Sequence, residues 1–405
     1  MLTRPAGWLT AKRVRIHGLL LAVCLWTTYA VDVSTPGLRD RYGLIKGTDF
    51  LHFYTLGTLA LRGRGDLLYD MRAQAEVAHE RVPEAAGVFY LPLYGPQVSL
   101  FFAPFARLPY GWALTAWLSL NLVIYALCCY AVWKRCVNLQ SDRWTVLILA
   151  IAFPGFFHLI VWGQTSGLAL LCFTLGFLAI NSEQHFLAGL AIGSLIFKPQ
   201  LGLASAVIFL FFRESKLILG AIVTGVAQLA LAWAHYGTLV MRSYIQALSG
   251  IGKVSLLLEP RLYQTHSLRS FWSMLLPWPD IALAFYVVCA VAVLVIAARC
   301  WRSRAPLRLR YSVLLLATVL VAPHLTVYDL VILAPAFLLL SDWALQRTEH
   351  RFARAVQILL YLSYLLFLLG PLSRFTHVQL SVLVMTALVW ICRQEIFKPP
   401  SASPA

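Results

Sequence analysis

The sequence predicts an all-α polytopic membrane protein, a bundle of about twelve transmembrane helices with a long first outer loop. Three observations predict it. Of 405 residues, 60% are hydrophobic and only 12% charged, a balance that belongs to integral membrane chains. Apolar runs approaching the roughly 20 residues that a bilayer core requires recur along the chain. Lys and Arg collect in alternate connections between those runs, as the positive-inside bias demands.

The first apolar run, residues 17–33, follows Arg4, Lys12, Arg13 and Arg15. This resembles a signal peptide, but no small-x-small cleavage site follows it, so it is expected to stay as an anchor. Residues 110–133, 144–160, 166–181, 186–197, 200–212 and 217–235 come next. Residues 279–298, 311–323, 326–341, 355–370 and 378–392 complete the set. Several are short enough to break or to lean on neighbours. The stretch Phe89–Ala106 is also apolar, but Pro92, Pro96, Pro104 and Gly95 interrupt it, so it reads as re-entrant or interfacial. Residues 1–395 are expected to form a single integral membrane domain, with 396–405 as a flexible tail.

Charge fixes the orientation. With the N-terminus inside and Phe89–Ala106 left out as a span, 19 of the 33 Lys and Arg residues fall on inner segments. They include Lys134, Arg135 and Arg143, the run from Arg299 to Arg310, and Arg347, Arg351 and Arg354. The short outer connections carry almost none. Counting Phe89–Ala106 as a span would invert every later loop. The formal charge of +16 needs no nucleic acid, since anionic inner-leaflet lipid attracts such juxtamembrane clusters. All eight cysteines fall in spans or inner segments, away from loops 34–109 and 236–278, so no disulfide is expected. No cofactor and no metal site is expected, because no Cys-x-x-Cys or comparable ligand spacing occurs.

The loop of about 76 residues from Ser34 to Pro109 needs a reason in so apolar a chain. Thr48-Asp49 precedes an apolar helix running to Leu61 and ending at Arg62-Gly63-Arg64-Gly65. Asp49 therefore has two readings, an N-cap of that helix or a catalytic carboxylate. Phe50, Phe53 and Tyr54 are expected to press the helix against the bilayer. A second helix is expected over about Asp70–Val82. Leu91-Pro92-Leu93-Tyr94-Gly95-Pro96 then turns the chain back toward the membrane.

Other polar residues sit at breaks between spans. Lys198 lies between two apolar stretches beside Pro199, where a charge costs about 3 kcal/mol or more. It either meets a ligand phosphate or snorkels from a simple turn. Gln164 lies in Trp162-Gly163-Gln164-Thr165-Ser166, as a helix cap or a substrate contact. His324 follows Pro323, and Tyr328 and Asp329 either orient it or serve elsewhere, Asp329 by pairing with an Arg. His266 and Arg269, ahead of the apolar run Phe271–Leu276, are placed to meet a phosphate at the interface. Arg242, Lys253 and Arg261 in the same loop read as solvated.

In their order and spacing these pieces resemble glycosyltransferase family 87. The resemblance runs from Gly47-Thr48-Asp49-Phe50 with Tyr54 through Leu68-Tyr69-Asp70 and Tyr90-Leu91-Pro92-Leu93 to Phe105-Ala106-Arg107-Leu108-Pro109. It continues in Gly163-Gln164-Thr165-Ser166, Ala188-Gly189-Leu190, Lys198-Pro199-Gln200 and Thr265-His266-Ser267-Leu268, and ends at Pro323-His324-Leu325-Thr326 with Tyr328. Leu91, Thr165-Ser166 and His266 stand where the family commonly has Pro, Asn and Gln. The resemblance implies a GT-C fold and a polyprenyl-phosphate-mannose donor. It implies Asp49 as general base and His324 as its catalytic helper. Lys198, Gln164, His266, Arg269, Tyr54 and Tyr328 are the expected substrate contacts.

The expected function is transfer of a hexose, mannose by resemblance, from a polyprenyl-phosphate donor to a lipid or glycan acceptor, with inversion. The expected place is a bacterial inner membrane, with the site facing the periplasm or cell exterior. The expected partners are donor, acceptor and membrane lipid, with no nucleic acid, and the expected state is a monomer. The rival from another class is a transporter or flippase of lipid-linked sugar, whose helix interruptions would pair between two halves; here they do not. A non-catalytic envelope scaffold is the third reading, and it would tolerate loss of Asp49.

Overall fold

In a computed structural model, residues 9–254, 261–347 and 351–398 are described. Arg4 and the tail 399–405 lie outside them, as does the side chain of Lys253. Among the described residues the chain is helical, with two isolated β-bridges and no strand. Five helices are long and apolar enough to cross a membrane alone, or seven if each of two bent pairs is one span.

The first, α1 (Ala11–Val33), begins where Thr10 accepts a hydrogen bond from the Arg13 amide. The loop that follows holds α2 (Thr48–Leu61), α3 (Met71–Arg81) and α4 (Gln97–Ala106). Asp70 caps α3 through the amides of Arg72 and Ala73, close to the expected start. Phe89–Ala106 resolves into an irregular approach and the ten-residue α4, which packs along α2. The expectation that α2 presses aromatic rings on the bilayer is overturned. Phe50, Phe53 and Tyr54 are at most 1% exposed, packed on Phe102, Tyr110 and Trp117. Rings that large stabilise most when wholly removed from water, and α4 and α5 supply the cover.

Next come α5 (Tyr110–Trp133), α6 (Arg143–Ile151) and α7 (Pro154–Trp162). Pro154 cannot continue the preceding helix, so α6 and α7 meet at a bend of 42°. Then follow α8 (Ser166–Asn181), α9 (His185–Gly193) and α10 (Pro199–Phe211). The next helix, α11 (Ser215–Ser249), is longer than the span 217–235. Gly237, at φ 78° and ψ −179°, is not helical, so α11 is two helices meeting at a kink just past the expected span, and the second of them lies in what the sequence presented as loop. The short α12 (Leu268–Leu275) precedes α13 (Pro279–Arg302), α14 (Leu307–Val321), α15 (Ala334–Gln346), α16 (Arg351–Leu366) and α17 (Leu380–Ile396).

Two apolar cores result. The larger is centred on α14, every residue of which from Tyr311 to Val321 is buried. The smaller joins α2, α3, α4 and the start of α5. Leu118, Leu120, Leu168 and Phe197 pack against both. The polar residues at issue gather on that boundary.

Candidate active site

Four interruptions of helix build the site. Gly47, at φ 65°, opens α2, and Gly163, at φ 66°, closes α7. Both are left-handed positions where a Cβ is penalised. A methyl on Gly163 would also lie 2.8 Å from the Phe50 Cβ, so the two glycines let the start of α2 settle on the α7–α8 break. The indole of Trp117 on α5 donates to the Gly163 carbonyl at 2.8 Å and holds that break. Tyr110 donates to the carbonyls of Lys46 and Gly47, at 2.7 and 3.1 Å, and holds the other.

Asp49 does not cap α2. It stands inside the first turn, Gly47 is the N-cap, and no side chain caps the helix. The half-buried carboxylate instead accepts a hydrogen bond from Gln164 Nε2 at 2.9 Å. Gln164 is fixed at its other end, where its Oε1 accepts from the Thr165 amide at 2.9 Å. Burial pushes the Asp49 carboxyl up to about 6, against the Gln164 hydrogen bond and the Lys198 charge, with Asp329 adding to the rise.

The third interruption is Lys198, between Phe197 and the Pro199 that starts α10; the fourth is Pro323–Thr326, ahead of a tight 3-10 turn Val327–Leu333. Lys198 is only 3% exposed, so it does not snorkel. Its Nζ donates to Asp329 Oδ1 at 2.8 Å and to Ser166 Oγ at 2.9 Å. Ser166 Oγ in turn donates to the same Asp329 oxygen at 2.6 Å, and the Thr326 amide donates to the other at 3.2 Å. The Tyr328 ring lies under the ammonium at 5.0 Å. The expected pairing of Asp329 with an Arg is overturned, since its partner is Lys198. A charge pair this deep is stable only when both partners are present and hydrogen-bonded.

His266 and Arg269 bracket the loop that carries His324. Thr265 bridges to Thr326, the His266 amide donates to the Leu325 carbonyl at 3.4 Å, and Arg269 Nη1 donates to the Pro323 carbonyl at 2.9 Å. The His266 ring is buried with its Nδ1 2.7 Å from Ser381 Oγ, and burial pushes it down to about 3, so the ring is neutral. Arg269 and His324 are half-buried. Tyr54 lies elsewhere: its hydroxyl donates to the Leu108 carbonyl at 2.8 Å and accepts from Arg81.

Two tyrosines join the site beyond those expected. The Tyr90 hydroxyl donates to the Thr48 carbonyl, and its ring stacks on His52 at 4.7 Å. Tyr94, half-buried, feels Lys198, Asp329 and Asp49 together and lies within hydrogen-bonding reach of Gln164. Their signal in the sequence is slight, two tyrosines flanking Leu91-Pro92-Leu93 just ahead of Gly95-Pro96. Among the described residues no three of His, Cys, Asp and Glu group as a metal site would require.

A sequence profile of glycosyltransferase family 87 matches residues 93–323, more than half of the chain. The chain belongs to glycosyltransferase family 87. It is therefore a membrane glycosyltransferase, acting on a sugar donor and an acceptor. The family match takes in Tyr94, Gln164, Ser166, Lys198, His266, Arg269 and Pro323, and it begins after Asp49. No curated protein and no solved structure matches the chain.

Proposed function

We propose that this family 87 enzyme transfers a hexose, mannose, from a polyprenyl-phosphate donor to a hydroxyl of a lipid or glycan acceptor, with inversion. The proposed setting is the outer face of a bacterial inner membrane, in a bundle of about twelve spans in which the shorter apolar helices also cross. One observation carries the reading. Asp49 is a half-buried carboxylate with no capping task, oriented by Gln164 and raised to about 6, near the pH at which a general base works best.

The acceptor hydroxyl attacks the anomeric carbon in line, and Asp49 takes its proton as the new C–O bond forms. The bond from that carbon to the phosphate oxygen breaks, and its electron pair leaves with the polyprenyl phosphate. A phosphate needs no proton to leave where cations stabilise its charge. Arg269, in the first turn of α12, and His324, on the adjoining loop, both half-buried, are the groups proposed to meet it. Lys198 serves from inside its ion pair, setting the charge around Asp49 and joining the α8 and α10 breaks. Tyr94 and Tyr328 are proposed to line the approach of the sugar. The neutral His266 braces the His324 loop, and Tyr54 has no part in the chemistry.

The test is incubation of purified enzyme with a panel of labelled polyprenyl-phosphate sugars and native lipid extract. Label from the mannosyl donor should pass to an extractable product with inverted linkage. Transfer from none of the donors would end this reading.

A further inference from the structure

A cleft of about 800 Å³ opens where the loop helices meet the start of α5, and its lining includes Arg81, Arg107, Tyr54, Tyr110, Trp112 and Thr115. No carboxylate is among the described residues that line it. Arg81 is held in place: its Nη2 donates to the Tyr54 hydroxyl and to the Ala106 carbonyl at 2.9 Å, with its guanidinium 5.3 Å from the Tyr54 ring centre. Its Nε is buried with no hydrogen-bond partner among the described residues. Arg107 is exposed. Two guanidinium groups thus share one cleft whose lining holds no carboxylate; Glu80, which feels the Arg81 charge, is engaged by Arg62 through two hydrogen bonds. Such a pair repels itself unless something negative comes between.

The position says where the anion comes from. Tyr110 is the first residue of a membrane-length helix whose other end reaches Lys134. Trp112, one turn in, is 70% exposed, and exposed Trp at a span terminus marks the membrane–water interface. Arginine pairs with phosphate through two parallel hydrogen bonds, a geometry that a cleft rim suits.

We infer that this cleft binds a phosphate-bearing anion at the membrane surface, at a site separate from Asp49. Tyr110 lies between the two, lining the cleft with its ring and holding the Lys46 and Gly47 carbonyls ahead of Asp49 with its hydroxyl. An occupant would therefore bear on the helix start that presents Asp49.

The test is calorimetric titration of full-length detergent-solubilised enzyme with dihexanoyl phosphatidylglycerol, dihexanoyl phosphatidylcholine and inorganic phosphate. The anionic lipid should bind more tightly than the zwitterionic one, and Arg107→Gln should weaken it about tenfold. Arg107 is the variant of choice because Arg81 also holds the fold together. If inorganic phosphate competes at equal affinity, the site takes free phosphate; if it does not compete, the site takes a lipid headgroup. Equal binding of both lipids without any binding of phosphate, or binding untouched by Arg107→Gln, would overturn the inference. The Asp49→Asn enzyme should bind as the parent does, so the result stands apart from glycosyl transfer.

Discussion

Asp49 stands in the first turn of α2, where the helix dipole favours its ionised form, yet burial still pushes its carboxyl up to about 6. The folded pKa therefore exceeds the ordinary 3.8. The folded state is favoured while Asp49 keeps its proton, and that advantage is lost as pH rises through about 6. Asp49→Asn removes the loss. Thermal denaturation in detergent should find the variant more stable than the parent at pH 7.5 and level with it at pH 4. A variant less stable at pH 7.5 would show Asp49 to be a structural residue. Catalysis runs the opposite way: kcat/KM should fall as pH drops below about 6, since a protonated base accepts nothing. A flat profile from pH 7 to 5 would contradict this. Asp49 and Gln164 were legible as isolated polar residues at helix starts. Their contact spans 115 positions, and no local pattern encodes it. The same holds for Asp329, whose pairing with Lys198 joins residues 131 apart.

Among elements, the breaks matter more than the helices. Glycine and proline announced the breaks at 163, 198 and 323, and all three converge near Asp49. Less legible was the packing of α2 on α4, which turned an expected membrane-facing stripe into a buried core. An aromatic stripe reads alike whether lipid or protein covers it. The break of α11 at Gly237 was legible, since glycine signals a stop, but the second helix beyond it was not. The ion pair joining the breaks yields a sharp expectation. Lys198→Met strands the Asp329 charge and should cost about 3–5 kcal/mol, whereas Lys198→Met with Asp329→Leu should cost much less. Denaturation midpoints of the two single variants and the double variant measure this coupling. Additive costs would mean that the pair does not hold the breaks together.

For the whole molecule, hydropathy and charge settled the class, an all-helical membrane protein, because both are summed over many residues. The number of crossings is not summed in that way. Helices such as α8, α9 and α10 are shorter than a bilayer requires of one straight span, and neighbours decide whether they cross. The sorting of basic residues predicts that the 34–109 loop lies outside. Asp66 is exposed and, among the described residues, paired with Arg64 in a surface ion pair, so Asp66→Cys should fold normally. In a Cys24→Ser background, a membrane-impermeant thiol reagent should label it in intact cells; labelling only after lysis would reverse the orientation.

The central claim is that Asp49 is the base of a glycosyl transfer. It is tested most directly by single-turnover transfer from labelled polyprenyl-phosphate mannose, comparing the parent enzyme with Asp49→Asn at equal donor occupancy. Asn keeps the size of the side chain and a hydrogen-bond acceptor for Gln164, but takes no proton. The account predicts unchanged donor binding with transfer slowed by about 10²- to 10⁴-fold. An Asn variant that transfers mannose at the parent rate would contradict it.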